Sequence, residues 1–168
     1  LLTDTEISIH VGFDLFNFEN RNLPTSKPIT QRINRDETIA SLKEKFSNEL
    51  SVPSDRLRLW TFALRHNKTI RPEAPILDES KTVGAFVGKS PVRNQSIIFY
   101  IEAVKEGESF EDIDGKKMIF FKFFNPSEGV VRPVCNLYVR GEDELLSFSR
   151  VLNSIVGLPE DTELSYFE

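Results

Sequence analysis

The sequence contains a single cysteine, Cys135, which excludes an internal disulfide and is typical of a reducing compartment such as the cytosol or the nucleus. No apolar run approaches the ~20 residues that a membrane-spanning helix needs, so we expect no membrane association. The first residues lack the basic flank and the small-residue cleavage site of a signal peptide. Leu1 is not a start methionine, so we expect the chain to be a fragment of a longer protein.

The sequence also lacks the side-chain patterns of an active site or a metal site. Cys135 lies in RPVCNLYV without a neighbouring base, so we interpret it as a small buried hydrophobe rather than a nucleophile. His10 and His66 have no partner at metal-ligand spacing. The acidic runs EDELL and EDIDG lack the spacing of a calcium loop and are typical of a helix N-terminus and a linker. We therefore predict no catalytic residue, no metal site and no cofactor.

Charge is distributed unevenly along the 168 residues, of which 39% are hydrophobic and 28% charged. Residues 1–103 carry 14 basic and 13 acidic residues, whereas residues 104–168 carry 7 and 13, a net charge of −6. An acidic second half argues against nucleic acid as a partner, because phosphates attract basic surfaces. It permits binding of basic peptides, although acidity that serves solubility alone remains an alternative.

The first half of the chain has the pattern of an α+β domain. Alternating apolar residues predict strands at 7–13, 29–33 and 57–59, a hairpin over 62–72 with its tip at Asn67 and Lys68, and a last strand from Ser96. A polar connection with Pro24 and Pro28 joins the first two strands. Between the second and third strands, Ile39, Leu42, Phe46 and Leu50 have helical spacing, with Thr38 as the N-cap and Pro53 beyond the end.

The second half repeats this pattern after an acidic linker, residues 105–116. Displacing the first half by 106 residues superposes the predicted helices and the following Pro-x-Asp. The paired positions are Ile39 and Leu145, Leu42 and Phe148, Phe46 and Leu152, Pro53 and Pro159, and Asp55 and Asp161. Strands are predicted around Ile119–Phe123, Leu137–Val139 and Leu164–Tyr166, with a turn at NPSEG, residues 125–129, between the first two. The domains are therefore 1–104, and 117–168 as a ββαβ unit that ends after its third strand; we expect further chain, rather than a neighbouring molecule, to complete it.

The helix and the strand after it resemble those of ubiquitin. The shared pattern comprises Thr-Ile, an aliphatic residue, Lys-x-Lys and an apolar residue, then aliphatic-Pro-x-Asp and Arg-Leu. It falls on Thr38, Ile39, Leu42, Lys43, Lys45, Phe46, Val52, Pro53, Asp55, Arg58 and Leu59. The order of the predicted elements is that of a β-grasp, so the resemblance implies an α+β, ubiquitin-like first domain and a second, C-terminally incomplete β-grasp unit.

A longer resemblance covers nearly the whole chain. The region downstream of the catalytic domain in herpesvirus-associated ubiquitin-specific protease and its fungal and plant relatives is a string of ubiquitin-like domains. The motif of the first is Asp-x-aliphatic-Arg-Leu-Trp, an Arg, a turn and Lys/Thr-x-Arg-Pro. It falls here on Asp55, Leu57, Arg58, Leu59, Trp60, Arg65, Lys68, Thr69, Arg71 and Pro72. The segments KMIFFKFFNP and TELSYFE are similar to parts of the second domain.

This resemblance implies a noncatalytic tandem ubiquitin-like segment of a deubiquitinase, whose thiol protease activity belongs to a separate domain. Its expected roles are docking of substrates and positioning or regulation of the catalytic domain. Expected partners are that catalytic domain, deubiquitination substrates and basic peptides at the second domain. The segment is expected to be a monomer in the nucleus or cytoplasm. The alternative is a β-grasp interaction module of another signalling class, of the Ras-associating or scaffold type. A small enzyme is the third possibility, and no residue pattern supports it.

Trp60, the single tryptophan, alternates with Leu57 and Leu59 and is therefore predicted to point away from the core, together with Arg56 and Arg58. On the ubiquitin pattern it lies where ubiquitin receptors bind. Exposed Trp and Arg are typical of binding hot spots, so Arg56, Arg58 and Trp60 form the candidate protein-binding site. The alternative, which we favour, is that another part of the chain covers the ring, because large apolar side chains are usually covered.

Overall fold

The computed structural model describes residues 4–11, 29–64, 70–87 and 97–167, with side chains described for 29–63, 72–87 and 97–167. Two compact units are present, Leu1–Asp112 (unit 1) and Ile113–Glu168 (unit 2). The division falls inside the predicted linker, residues 105–116. The proline-containing connection between the first two strands, the hairpin tip and His66 lie outside the described residues, as does the side chain of His10.

Unit 1 contains a mixed sheet with the strand order β2-β1-β5-β3-β4. The strands are β1 (Asp4–Val11), β2 (Ile29–Asn34), β3 (Leu57–Leu64), β4 (Ile70–Pro75) and β5 (Ile97–Ala103). The first and last strands run parallel at the centre, and the other neighbours are antiparallel. One helix, α1 (Ile39–Leu50), follows β2. This topology is that of a β-grasp and confirms the predicted α+β class.

Helix α1 begins and ends at the predicted residues for local reasons. The hydroxyl of Thr38 accepts a hydrogen bond from the backbone N–H of Ser41 at 3.2 Å, which satisfies one of the free donors at the helix start. The helix ends at Leu50, and its C-cap Ser51, which has a left-handed φ of 55°, donates its N–H to the carbonyl of Ser47. Pro53 then prevents continuation.

The core of unit 1 lies between α1 and one face of the sheet. Apolar side chains of the helix, of β2, β3 and β5, and of the segment after β4 make up this cluster: Ile33, Ile39, Leu42, Phe46, Leu57, Leu59, Ile76, Val83, Ile97, Phe99 and Ile101. The intervening residues of β5 are also buried: Ile98, Tyr100 and Glu102 are 9%, 2% and 6% exposed. Since neighbouring strand residues point to opposite faces, the sheet is covered on its second face as well.

Unit 2 begins with the predicted hairpin of β6 (Lys117–Asn125) and β7 (Val130–Val139). At the turn, the Asn125 side chain accepts hydrogen bonds from both the backbone N–H and the hydroxyl of Ser127. Gly129, with a φ of 64°, supplies the left-handed residue before β7. Cys135 lies in β7 and is 6% exposed, as predicted for a buried hydrophobe.

The helix predicted from residue 145 is divided in the structure. Residues Leu145–Phe148 form a 3-10 turn, and the α-helix α2 covers only Ser149–Val156. Leu145 is 44% exposed, so the prediction that it matches the buried Ile39 was wrong. A 3-10 turn has three residues per turn, so the apolar stripe of an α-helix is not continued through it. The helix end does match: Gly157 is a left-handed cap that donates to Asn153, as Ser51 does to Ser47.

The predicted third strand of the second repeat is absent from the described part of unit 2. Residues 162–167, which include Leu164 and Tyr166, belong to no strand. In unit 1 the corresponding β3 is held by ladders to β4 and β5. Within residues 113–167 the only sheet is the β6–β7 hairpin, so residues 162–167 have no ladder to join. A second β-grasp unit therefore stays a prediction.

Candidate functional site

The three residues predicted to bind a partner lie at or beside the start of β3. Arg56 ends a 3-10 turn directly before the strand, and Arg58 and Trp60 alternate within it with Leu57 and Leu59, each 1% exposed. Trp60 thus points away from the core of unit 1, as predicted. Its side chain is only 3% exposed, so the ring is covered, which is the alternative favoured above over an exposed binding residue.

Glu102 on the neighbouring strand binds both β3 side chains. One carboxylate oxygen, Oε2, accepts a hydrogen bond from Nε of Arg58 at 2.8 Å and another from the indole N–H of Trp60 at 2.9 Å. Arg58 and Glu102 are direct cross-strand partners in the β3–β5 register, which explains the short distance. The carboxylate is buried, and this charge pairing offsets the cost of removing it from water.

Phe110, from the segment after β5, contacts the same arginine. The guanidinium carbon of Arg58 lies 4.5 Å from the ring centroid of Phe110 and 5.3 Å from that of Trp60. Both distances are within the range of a cation–π interaction. Nη1 of Arg58 also donates to the backbone carbonyl of Glu111 at 3.5 Å. One cation therefore contacts two aromatic rings and one carboxylate.

Arg56 fixes the point where the chain leaves β5. Its Nε donates to the carbonyl of Val104 at 3.0 Å, and the N–H of Val104 donates to the carbonyl of Arg56 at 3.1 Å. Arg56 therefore binds the backbone at the end of β5, whereas Arg58 and Trp60 bind Glu102. The structure brings Arg58 and Trp60 together and places Arg56 beside them with a separate partner.

The cross-strand neighbours of Trp60 are Tyr100 on β5 and Pro75 on β4. The ring of Tyr100 also meets Phe62 edge to face, with a centroid separation of 6.5 Å. Between Trp60 and Phe62 the β3–β4 register shifts at a bulge. A bulge increases local twist and redirects the side chains that follow it. The indole thus belongs to an aromatic layer on the second face of the sheet.

Two residues of this site, Glu102 and Phe110, were missed by the reasoning from sequence. Glu102 is the only charged residue in the strand IIFYIEA, and Phe110 is the only large apolar residue in KEGESFED. A lone acid in a buried strand signals a buried partner, and a lone aromatic in an acidic run signals an anchor. Their common partner, Arg58, lies about fifty positions earlier, and its position depends on strand pairing.

Among the described side chains, the other candidate residues form no metal-binding cluster. In residues 29–63, 72–87 and 97–167, no group of three or more His, Cys, Asp or Glu side chains is arranged to hold a metal ion. Among the helices described, none is long and apolar enough to cross a membrane. The partner-binding role of Arg56, Arg58 and Trp60 stays a prediction. In the structure, contacts within the chain already bury Trp60 and bind Arg58.

Comparison with known proteins gives a family match over most of the chain. The family model of the ICP0-binding domain of ubiquitin-specific protease 7 matches residues 57–168. Ubiquitin C-terminal hydrolase 13 of Arabidopsis thaliana is 27% identical over 97% of this chain. Ubiquitin carboxyl-terminal hydrolase 5 of Schizosaccharomyces pombe is 24% identical over all of it. The chain spans only 15% and 16% of the length of these two relatives.

Solved structures of ubiquitin-like proteins are also similar to this chain. A ubiquitin-like domain of Arabidopsis thaliana has a TM-score of 0.41 at 14% identity and covers 66% of this chain and 87% of its own. The ubiquitin of Caldiarchaeum subterraneum has a TM-score of 0.40 at 13% identity and covers 62% and 99%. At such low scores the fold assignment rests on the strand order rather than on these neighbours.

Proposed function

Because the chain belongs to the family of the ICP0-binding domain of ubiquitin-specific protease 7, we propose that it docks protein partners for a longer deubiquitinase and positions its catalytic domain. The chain is a noncatalytic ubiquitin-like segment related to ubiquitin-specific proteases. The thiol protease activity of the longer protein would lie outside this segment. The family match over residues 57–168 is the observation that carries the proposal.

The charge of the second half supports basic peptides as one class of partner. Residues 104–168 have a net charge of −6, and acidic side chains on both sides of α2 are exposed: Glu142, Asp143, Glu144, Glu160, Asp161 and Glu163. Exposed charges of one sign accelerate association with a partner of opposite sign and give binding that weakens as salt increases. Substrates that carry Lys-rich segments fit this surface. The proposed compartment is the nucleus or cytoplasm, which the single cysteine and the family resemblance support.

A binding experiment tests the proposal. The complete chain is titrated with a Lys-rich peptide at low and high salt, and is used to capture the catalytic domain of its own parent protein. We expect capture of that domain, peptide binding that weakens strongly with salt, and no ubiquitin cleavage by the chain alone. Neutralising Glu142, Asp143 and Glu144 to the amides should weaken peptide binding about tenfold. The matched control neutralises three exposed acids of unit 1: Glu44, Glu49 and Glu73.

Two results would overturn the proposal. One is ubiquitin cleavage by this chain at an enzyme-like rate, which would make it a catalytic domain. The other is failure both to bind basic peptides and to capture the catalytic domain. Equal weakening by the two sets of neutralised acids would reject the acidic surface of unit 2 as the peptide site and favour general charge attraction.

A further inference from the structure

The C-terminal part of unit 2 runs back along helix α2. The side-chain amide nitrogen of Asn153, in the helix, donates to the carbonyls of Glu160 at 3.1 Å and of Thr162 at 2.8 Å. Further along the chain, the hydroxyl of Tyr166 lies 2.7 Å from that of Ser149, the first residue of α2. The chain after the helix therefore returns to the end at which the helix begins.

Residues 162–167, here named the return segment, have the exposure pattern of an extended chain. Every second residue is half-buried: Thr162, Leu164 and Tyr166. The residues that alternate with them are exposed, as in a strand with one face on a core. Within the described part of the chain, however, the return segment belongs to no strand. An enzyme can therefore bind it in an extended groove without breaking a sheet ladder.

Tyr166 differs in its surroundings from the other two tyrosines of the chain. Tyr100 lies in β5 and is 2% exposed. Tyr138 lies in β7, where it is paired with Met118 of β6. Tyr166 is half-buried in the return segment, and its hydroxyl reaches the hydroxyl of Ser149. Of the three phenol groups, that of Tyr166 is therefore the one whose backbone can move toward an enzyme without disturbing a sheet.

Acidic residues surround Tyr166 in the sequence EDTELSYFE, residues 160–168. Three of them, Glu160, Asp161 and Glu163, precede the tyrosine and are exposed. The pattern of charge around the acceptor hydroxyl is one basis on which protein kinases select their substrates. The return segment therefore fits a tyrosine kinase whose substrate groove is basic.

We propose that Tyr166 is a phosphorylation site for a tyrosine kinase with a basic substrate groove, and that its phosphate strengthens the binding of basic peptides to unit 2. The second part rests on the proposed function, and the first part does not. In the reaction, the γ-phosphoryl group of ATP passes to Oη of Tyr166, the phenolic proton passes to the catalytic aspartate of the kinase, and ADP leaves.

The phosphate adds charge where unit 2 is already acidic. A phosphotyrosine carries a charge of about −1.5 to −2 at pH 7. The exposed acids Glu142, Asp143 and Glu144 precede the turn that leads into Ser149, and the Tyr166 hydroxyl lies at Ser149. Exposed charges of one sign raise the rate of association with a partner of opposite sign, and salt weakens this effect. The phosphate should therefore act mainly by accelerating peptide association.

The first test identifies the tyrosine that accepts phosphate. The complete chain and the free peptide EDTELSYFE are incubated with ATP and a tyrosine kinase that prefers acidic substrates, and the phosphate is located by mass spectrometry. We expect phosphate on Tyr166 at no less than about one-tenth of the rate for the peptide, because the hydrogen bond to Ser149 has to open. Tyr166→Phe should abolish incorporation, and the matched change Tyr138→Phe should leave it unchanged.

Three results would overturn the site. Failure of the kinase to modify the peptide would show that the acidic sequence is not recognised. Modification of the peptide without modification of Tyr166 in the folded chain would show that the hydroxyl is not accessible. Incorporation that Tyr166→Phe leaves unchanged would place the phosphate on another tyrosine.

The second test measures the effect of the phosphate on peptide binding. The phosphorylated and unphosphorylated chains are each mixed with the Lys-rich peptide, and association and dissociation rates are measured at low and high salt. We expect phosphorylation to increase the association rate about fivefold at low salt, to change the dissociation rate less, and to have little effect at high salt. The control is the Tyr166→Phe chain after the same kinase treatment, which should bind as the untreated chain does.

The outcomes separate this inference from the proposed function. Peptide binding that phosphorylation leaves unchanged would reject the regulatory part and leave the peptide surface standing. If neither form of the chain binds the peptide, the peptide surface itself fails, and the regulatory part fails with it. The phosphorylation site is then judged by the first test alone.

Discussion

Replacement of Glu102 by alanine should strongly destabilise unit 1. Its Oε2 atom accepts hydrogen bonds from Arg58 at 2.8 Å and from the indole of Trp60 at 2.9 Å. The Arg58 side chain is 13% exposed, so removing Glu102 leaves a largely buried cation without its carboxylate and an indole N–H without its acceptor. Breaking a buried ion pair costs about 3–5 kcal/mol, and a buried donor left without an acceptor costs about 1–3 kcal/mol.

These two costs overlap, because Arg58 can turn toward water once its partner is absent. We therefore expect the free energy of unfolding to fall by about 3 kcal/mol for Glu102→Ala. Glu102→Gln keeps an oxygen acceptor and removes the charge, so its cost should be about half as large. The matched control is Glu73→Ala, an exposed carboxylate on β4, for which we expect less than about 0.5 kcal/mol.

Urea unfolding monitored by Trp60 fluorescence measures these differences, because the reporter lies in the unit that is perturbed. With a urea dependence of about 1.5 kcal/mol per molar, Glu102→Ala should lower the midpoint by about 2 M. A decrease of less than about 1 kcal/mol, or a decrease equal to that of Glu73→Ala, would show that Glu102 does not hold the Arg58–Trp60 cluster together. That result would refute the site described above.

Three further predictions concern other parts of the chain. Ser51→Gly should raise the free energy of unfolding of unit 1 by about 0.5 kcal/mol in the same assay, since residue 51 has a left-handed φ of 55°; no gain would contradict the cap geometry. Asn153 is fully buried and donates to the carbonyls of residues 160 and 162, so Asn153→Ala should destabilise unit 2 by about 2 kcal/mol, measured by circular dichroism. The unfolding transition of unit 1, followed by Trp60 fluorescence, should stay unchanged, and a shift in it would contradict two separate units. The hydroxyl of Ser80 donates to the Asp78 carboxylate and lowers its pKa. The ionised carboxylate therefore stabilises the fold above its unfolded pKa, and this stabilisation is lost as the pH falls through the folded pKa. Ser80→Ala should raise the pKa of Asp78 in an NMR titration, and an unchanged pKa would reject the hydroxyl as the cause.

The parts of the fold that sequence reasoning predicted well are those with local causes. Helix α1 was placed from an N-cap at Thr38, apolar residues at helical spacing and Pro53, all within sixteen positions. Each of these signals acts on its own segment of backbone, so neighbouring residues suffice to read it. The same is true of the β6–β7 hairpin and its Asn125–Gly129 turn.

The parts that could not be predicted depend on residues far apart in the chain. Trp60 points away from the core as the alternation predicts, but its bond to Glu102 depends on the pairing of β3 with β5. Phe110 contacts Arg58 from the segment after β5. Apolar spacing also could not distinguish the 3-10 turn at Leu145 from an α-helix, because i, i+3 positions coincide in both.

The central structural claim, that the chain itself buries Trp60 and binds its indole N–H through Glu102, is tested most directly by hydrogen exchange at that N–H. The single tryptophan gives one indole resonance in an NMR spectrum of the isotope-labelled chain. A proton bonded to Glu102 and buried in unit 1 should exchange far more slowly than that of a free indole, and Glu102→Ala should accelerate the exchange. Exchange at the rate of a free indole in the wild-type chain would contradict the account.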